Sequence, residues 1–156
     1  MSDSLSTLPI SWRCCEFENL STPELYEILR LRAEVFVVEQ DCPYQDLDGK
    51  DQSAFHLLGQ RETSLCCYAR LLSPGVSYPE ASIGRVVTSN QVRGSGLGRL
   101  LLQESIRQCQ LLWPGNGITI SAQQHLEKFY QEFGFVTQSD PYLEDDIPHI
   151  RMQREA

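Results

Sequence analysis

The stretch Gln91-Val92-Arg93-Gly94-Ser95-Gly96-Leu97-Gly98-Arg99 constrains this chain more than any other. A β-like run, Ser82-Ile83-Gly84-Arg85-Val86-Val87-Thr88, precedes it, and an amphipathic helix, Leu97 to Cys109, begins inside it. Strand, glycine-rich turn and helix start make an anion cradle, where free backbone N–H groups converge and the positive end of the helix dipole adds to them. Glycine at alternate positions lets the backbone approach a ligand and take up positive φ without steric cost. Such a turn suits a phosphate or pyrophosphate.

Spacing separates the phosphate binders. A dinucleotide fingerprint G-x-G-x-x-G fails, because its third glycine falls on Arg99 when counted from Gly94 and on Leu101 when counted from Gly96. A Walker A loop fails because Arg99-Leu100 follows Gly98, and a G-x-S-x-G elbow fails because Arg93 and Leu97 flank Ser95. What remains, Gln91-x-x-Gly94-x-Gly96, resembles the coenzyme A pyrophosphate loop of the GNAT superfamily of acyl-CoA-dependent N-acyltransferases. By itself the short pattern also fits a turn needed only for tight strand–helix packing.

A second signal lies downstream. Ile118-Thr119-Ile120-Ser121 reads as a buried strand, followed by a short helix from Gln124 to Phe133. The segment Phe129-Tyr130-Gln131-Glu132-Phe133-Gly134-Phe135 resembles a second GNAT motif, a tyrosine on a short helix ended by Gly-Phe. The phenylalanines read as core, but the Tyr130 hydroxyl, set among apolar neighbours, needs a partner or a task. The run from Leu31 to Asp51, then His56-Leu57-Leu58-Gly59, Tyr68-Ala69-Arg70-Leu71, Ile83-Gly84-Arg85-Val86 and Ile147-Pro148-His149-Ile150 are similar to the ElaA branch of that superfamily.

The resemblance implies an α/β (α+β) fold: a mixed, mostly antiparallel twisted sheet with a splayed central strand pair and flanking helices. It implies one N-acetyltransferase domain over residues 11–156, after a loose tail over residues 1–10. The cofactor implied is acetyl-CoA, held by Val86, Val87, Thr88, Arg93, Gly94, Ser95, Gly96, Leu97, Gly98, Arg99 and Gln123. The reaction implied is direct transfer of the acetyl group to an amine, with backbone N–H groups near Thr88 at the oxyanion and Tyr130 giving its proton to the departing thiolate. A non-catalytic acyl-CoA-binding sensor would share the loop. Two departures from the family pattern stand out. The cofactor strand carries Arg85 and no carboxylate between Ser82 and Thr88, and Gln123 replaces a common asparagine. His56, Glu39 and His149 are therefore the candidates to accept the amine's proton, a hydrogen-bonded structural role being the alternative for each histidine.

Charge and composition set the remaining expectations. A net charge of −8 argues against nucleic acid or an anionic membrane as partner, yet residues 85–107 carry four arginines against Glu104 alone. A basic island in an acidic protein fits a polyanionic cofactor, and the acidic remainder favours a cationic primary amine, small or peptidic, as acceptor. No apolar run approaches the ~18 residues of a membrane span, and the serine-rich start is no signal peptide. Six cysteines, including the vicinal pairs Cys14-Cys15 and Cys66-Cys67, show no zinc spacing and read as reduced thiols in a cytoplasmic monomer or homodimer. The acidic loop Asp41 to Asp51 is no calcium site, since placing Gly49 at the invariant EF-hand glycine puts Tyr44 and Phe55 at ligand positions. It reads either as a wall of the acceptor pocket or as a solvated loop, and no metal is expected.

Overall fold

The computed structural model describes residues 9–156, so the tail expected over residues 1–10 lies, through residue 8, outside the described residues. Strand β1 (Ser11–Glu16) leads into helix α1 (Thr22–Arg32). Ser21 and Glu24 form the capping box that their spacing predicts: Ser21 Oγ accepts the Glu24 N–H at 3.1 Å, and the Glu24 carboxylate accepts the Ser21 N–H at 2.8 Å. The helix then widens into a π-helical segment, Ala33–Glu39, in which the Gln40 and Cys42 N–H groups reach back five residues to Val35 and Val37. Single π turns of this kind recur at functional sites.

Strands β2 (Phe55–Arg61) and β3 (Ser64–Leu72) pair antiparallel around the tight turn Glu62-Thr63. Glu62 meets that turn with a φ of 57°. After β4 (Ser82–Thr88) comes helix α2 (Leu97–Leu112), then β5 (Ile118–Gln123), a 3-10 turn and the short helix α3 (Glu127–Gln131). The chain closes with β6 (Val136–Thr137), β7 (Tyr142–Glu144) and β8 (Ile147–Arg154). Strand β7 was not expected. Its hairpin to β8 turns on Asp145 and Asp146, both at positive φ, without the glycine that would have marked it.

Two antiparallel sheets result, one ordered β1-β2-β3-β4 and the other β5-β8-β6 with β7 also on β8. Their backbones join at one end, where Ala81 and Ile118 form a parallel bridge and the Thr119 N–H donates to the Ala81 carbonyl at 2.9 Å. Beyond that point β4 and β5 separate, which is the splayed central pair. Alternation along β2 and β3 sends Leu57 and Cys67 to one face and Leu58 and Tyr68 to the other. Helix α2 covers the first face with Leu97, Leu101, Leu102 and Ile106, and α1 covers the second with Ile28 and Leu31. Strands buried on both sides explain their nearly continuous apolar sequence.

A bulge lies in β4 along the stretch where the two strands part. Tyr68 pairs with Val87 but Arg70 pairs with Gly84, so β4 carries one residue more than β3 over this interval. Arg85 sits there at a φ of 51°, a conformation unfavourable for a residue with a Cβ. Its guanidinium is held by Asp46 at 2.7 Å, by the Asp46 carbonyl at 2.9 Å, and lies 5.7 Å from the centre of the Tyr44 ring. The same loop is tied to the body of the fold by two buried arginines. Arg32 of α1 bonds Asp46 and Asp51 at 2.9 and 2.8 Å, and Arg70 of β3 bonds Asp48 at 2.8 Å through both of its terminal nitrogens. Asp46 and Asp51 are buried, so the solvated-loop reading of this stretch is corrected here: two of its carboxylates face inward to arginines.

Beneath this cluster lies His56, fully buried. Its Nε2 is 2.9 Å from the Asp51 carbonyl, which only accepts, so Nε2 carries the proton and Nδ1 accepts from the Tyr68 hydroxyl at 2.7 Å. Burial holds its pKa below the ordinary 6.5, with the Asp51 carbonyl and carboxylate opposing in part and Arg32 and Arg70 reinforcing. For Asp48 and Asp51, burial alone would raise the carboxyls, but the bonds from Arg70 and Arg32 outweigh it and hold both well below the usual range.

Both effects favour the fold at neutral pH and fade toward acid. The carboxylates lose theirs as pH falls through their lowered values. His56 acts earlier, because below about pH 6.5 the unfolded chain takes up a proton there that the fold refuses, at up to ~1.4 kcal/mol per pH unit. Melting temperatures between pH 7.5 and 5 should fall in the wild type and fall less steeply in His56→Gln; equal slopes would remove His56 from the response. Arg32→Ala should cost about 3 kcal/mol in urea unfolding, the lower end for a broken buried pair because Arg70 and Arg85 still reach the orphaned carboxylates. A loss below about 1 kcal/mol would contradict that assignment.

Candidate active site

Where β4 and β5 part, a cleft of about 990 Å³ opens between the sheets. Val86, Val87 and Thr88 of β4 line it, with Arg93, Gln123 and Tyr130 from the following elements. These six, with Glu39 and His149, share one cavity, whereas Gly94 to Arg99 and His56 are not among its lining residues. Beyond Ala81 the edge of β4 that faces β5 has no partner strand, so its backbone amides and carbonyls are open to a ligand.

The glycine turn follows the end of β4, with only Arg93 of the stretch from Gln91 to Arg99 lining the cleft. Gly94 and Gly96 both take a φ of 82°, and a Cβ placed on Gly94, Gly96 or Gly98 would meet no atom within 4 Å. The face of the turn is therefore empty space. Gly96 is the N-cap of α2 and supplies no side-chain cap, which leaves the first N–H groups of a 16-residue helix without an intrahelical partner. Ser95 turns its hydroxyl to the Val92 carbonyl at 2.5 Å and tightens the loop. Positive φ, open space and uncapped N–H groups together fit a pyrophosphate.

Both arginines of this loop are paired. Arg93 forms a fork with Glu39 of the π-helical segment, its Nη2 3.0 Å from Oε2, and also reaches the Thr88 carbonyl at 3.4 Å. The guanidinium lowers the Glu39 carboxyl below the usual range. Arg99 pairs with Glu132 at 2.5 Å and lies over the Phe129 and Phe133 rings at 5.7 and 6.0 Å.

Tyr130 stands edge-on to Phe129 and Phe135. Burial alone pushes its pKa up to about 12, with no charge or hydrogen bond contributing. A phenol so placed stays protonated at neutral pH and has its proton free to donate into the cleft. The cysteines are unbridged, and burial pushes Cys14 to about 11 and Cys67 and Cys109 to about 12, which leaves them poor nucleophiles.

The three proton-acceptor candidates divide. His56 lies outside the cleft with both ring nitrogens occupied, so its environment assigns it to the core. Glu39 and His149 both line the cleft, Glu39 bound to Arg93. The far wall contains groups that the sequence reading passed over. Ser121 Oγ is 2.5 Å from the Tyr142 hydroxyl and 3.2 Å from Glu144, while Tyr78, Glu144 and Asp145 line the same wall. Their presence depends on β7, and only the alternating Tyr142-Leu143-Glu144 could have signalled it. Tyr44, Asp48 and Lys50 of the acidic loop stand opposite. Among the described residues no group of three or more His, Cys, Asp or Glu side chains is arranged to hold a metal ion, and no helix is long and apolar enough to cross a membrane.

Known proteins share this architecture. Residues 22–156 match the family described as Acetyltransferase (GNAT) domain. Protein ElaA of Escherichia coli is 43% identical over 149 residues, which cover 94% of this chain and 97% of that protein. The crystal structure of Escherichia coli ElaA superposes with a TM-score of 0.88 at 42% identity, covering 94% of this chain and 100% of that one. The crystal structure of an acyl-CoA N-acyltransferase from Pseudomonas aeruginosa gives 0.90 at 44% identity, covering 94% and 99%. With the splayed β4–β5 pair, the glycine turn and these relatives in agreement, the chain belongs to the GNAT acetyltransferase family.

Proposed function

We propose that this acyltransferase moves an acetyl group from acetyl-CoA to a primary amine by direct transfer, with no acyl-enzyme. The observation that carries the reading is the conjunction of an uncapped, open glycine turn with the unpaired edge of β4, both leading to the Tyr130 phenol. Gly94 to Arg99 would hold the pyrophosphate, and the β4 edge at Val86, Val87 and Thr88 would pair with the amides of the pantetheine arm, Gln123 flanking it. Bound there, acetyl-CoA supplies a thioester carbonyl and a thiol leaving group. The chain's part is to fix the carbonyl beside the β4 backbone, exclude water with the aromatic floor around Phe129, and deliver a proton from the Tyr130 hydroxyl. Buried cysteines of raised pKa offer no competing nucleophile, and six unbridged thiols accord with the reducing cytoplasm. Glu144 and Asp145 on the acceptor wall favour a cationic amine.

Acetyl-CoA at 100-fold over its Kd should stabilise the fold by about 2.7 kcal/mol, read as a rise in melting temperature. Gly96→Val forces a β-branched residue into a left-handed conformation and should abolish the rise while leaving the circular dichroism spectrum unchanged. An unchanged melting temperature for the wild type in saturating acetyl-CoA would refute the cofactor assignment.

Tyr130→Phe keeps the ring that packs on Phe129 and Phe135 and removes only the proton. Cofactor affinity measured by calorimetry should stay within about twofold, while kcat and kcat/KM for thiol release fall together by about 10²-fold, the lower end for a positioned acid. Full turnover with chemistry rate-limiting would return Tyr130 to the core.

A further inference from the structure

The amine must lose a proton before it can attack, and an alkylammonium at neutral pH does not do so unaided. The strand that supplies a carboxylate in many relatives carries Arg85 here, committed to Asp46 and Asp48. His149 of β8 meets the requirement by geometry. It is paired in register with Gln123 of β5 on one side and Tyr142 of β7 on the other, so both sheet neighbours fix its position. Its ring stacks on Tyr142 at 6.3 Å between centres with 24° between planes, and the residue is 7% exposed. Nδ1 lies 2.7 Å from the Ile147 carbonyl oxygen. A carbonyl and a carboxylate both only accept, and the carbonyl at 2.7 Å is the shorter of the ring's two contacts, so the neutral ring keeps its proton on Nδ1 and leaves the lone pair on Nε2. That lone pair faces the cleft and stands 3.3 Å from Glu144 Oε2. Neutral imidazole gains nothing from a carboxylate at that position, whereas imidazolium gains an ion pair. The arrangement is the reverse of His56, whose Nε2 proton is spent on a carbonyl and whose Nδ1 is filled by Tyr68.

We propose, resting on the acyltransferase reading above, that His149 Nε2 is the catalytic base for the acceptor amine, with Glu144 and the Ile147 carbonyl as its positioning groups. The acceptor enters as an ammonium. One of its N–H bonds breaks, the electron pair stays on the amine nitrogen as the attacking lone pair, and the proton forms the new bond on Nε2. The imidazolium then pairs with Glu144 until it returns the proton to solvent, regenerating the Nδ1–H tautomer. The charged and titratable groups around His149 are Glu144 and Tyr142 on β7, both bonded to Ser121 of β5, Asp145 in the hairpin turn, Arg151 on its own strand, and Tyr78 before β4. Glu144 alone among them contacts Nε2 within 4 Å as a charged partner.

Two measurements test the assignment, one without turnover. Nitrogen-15 NMR of histidine-labelled protein should show one imidazole locked as the neutral Nδ1–H tautomer, absent from His149→Gln. Kinetics then use acetyl-CoA with n-butylamine, whose own ammonium titrates near pH 10 as lysine does. His149→Gln should lower kcat/KM about 10²-fold at pH 7 and converge on wild type as pH approaches 10, where the amine supplies its own lone pair. The variant should keep the melting-temperature rise with acetyl-CoA. A neutral Nε2–H tautomer at His149, or a rate loss of equal size at every pH, overturns the proposal while leaving the acyltransferase reading intact. Absence of any stabilisation by acetyl-CoA in the wild type would instead remove that reading, and the role of His149 with it.

Discussion

Six side chains from distant parts of the chain meet beneath the acidic loop. Arg32 comes from α1, Arg70 from β3 and Arg85 from the β4 bulge, and they are matched by Asp46, Asp48 and Asp51. Three charges of each sign cancel, which is the condition under which so many can be buried together. Such a cluster adds little net stability over an apolar one, because the desolvation of each group is set against its attraction. Its effect is geometric. Arg85 would leave a left-handed conformation if its guanidinium were free, and without that conformation β4 would have no extra residue at this point. An unbulged β4 could run on beside β5 and close the cleft. The ion pairs of Arg85 thus hold the bulge at the wall of the cleft, which Arg85, Arg70 and Asp48 themselves line.

Backbone carbonyls distinguish two of the histidines. His56 and His149 each give one ring proton to a backbone carbonyl, at 2.9 and 2.7 Å, but with opposite nitrogens. For His56 the remaining nitrogen meets a hydroxyl donor, so the ring is neutral, satisfied and inert. For His149 it meets the Glu144 carboxylate at the wall of the cleft. Two residues of one type, indistinguishable by sequence, acquire different chemistry from the carbonyl each happens to face.

What was legible beforehand follows the range of the interactions involved. The Ser21–Glu24 cap spans three residues and the Gly94–Gly96 turn two, and both are local chemistry that sequence states directly. The apolar alternation that defines β2 to β5 is likewise local. The Arg–Asp cluster joins residues as far as 39 positions apart, and nothing near Asp46 announces that Arg85 will reach it. The π-helical segment has no sequence code of its own, since its wider turns arise from packing Val35 and Phe36 against the sheet. Strand β7 hid behind a turn of two aspartates, residues that tolerate left-handed geometry less readily than the glycine or asparagine a hairpin ordinarily shows. With β7 unrecognised, Tyr142 and Glu144 could not be placed beside His149.

Charge shows most clearly how far composition alone can mislead. The four arginines between residues 85 and 107 read as a basic island facing a polyanion. In the fold each has a carboxylate: Arg85 has Asp46, Arg93 has Glu39, Arg99 has Glu132 and Arg107 has Glu104. Two of these pairs, those of Arg93 and Arg99, flank the glycine turn and are open to water, so solvent screens them and either can exchange partners at little cost. The helix dipole and the uncapped N–H groups of α2 have no such internal partner and cannot be neutralised by a side chain that is not there. On the proposed reading, a phosphate arriving at this turn would find fixed backbone donors first and exchangeable arginines second, the backbone supplying the geometry and the arginines, by trading carboxylate for phosphate, the charge.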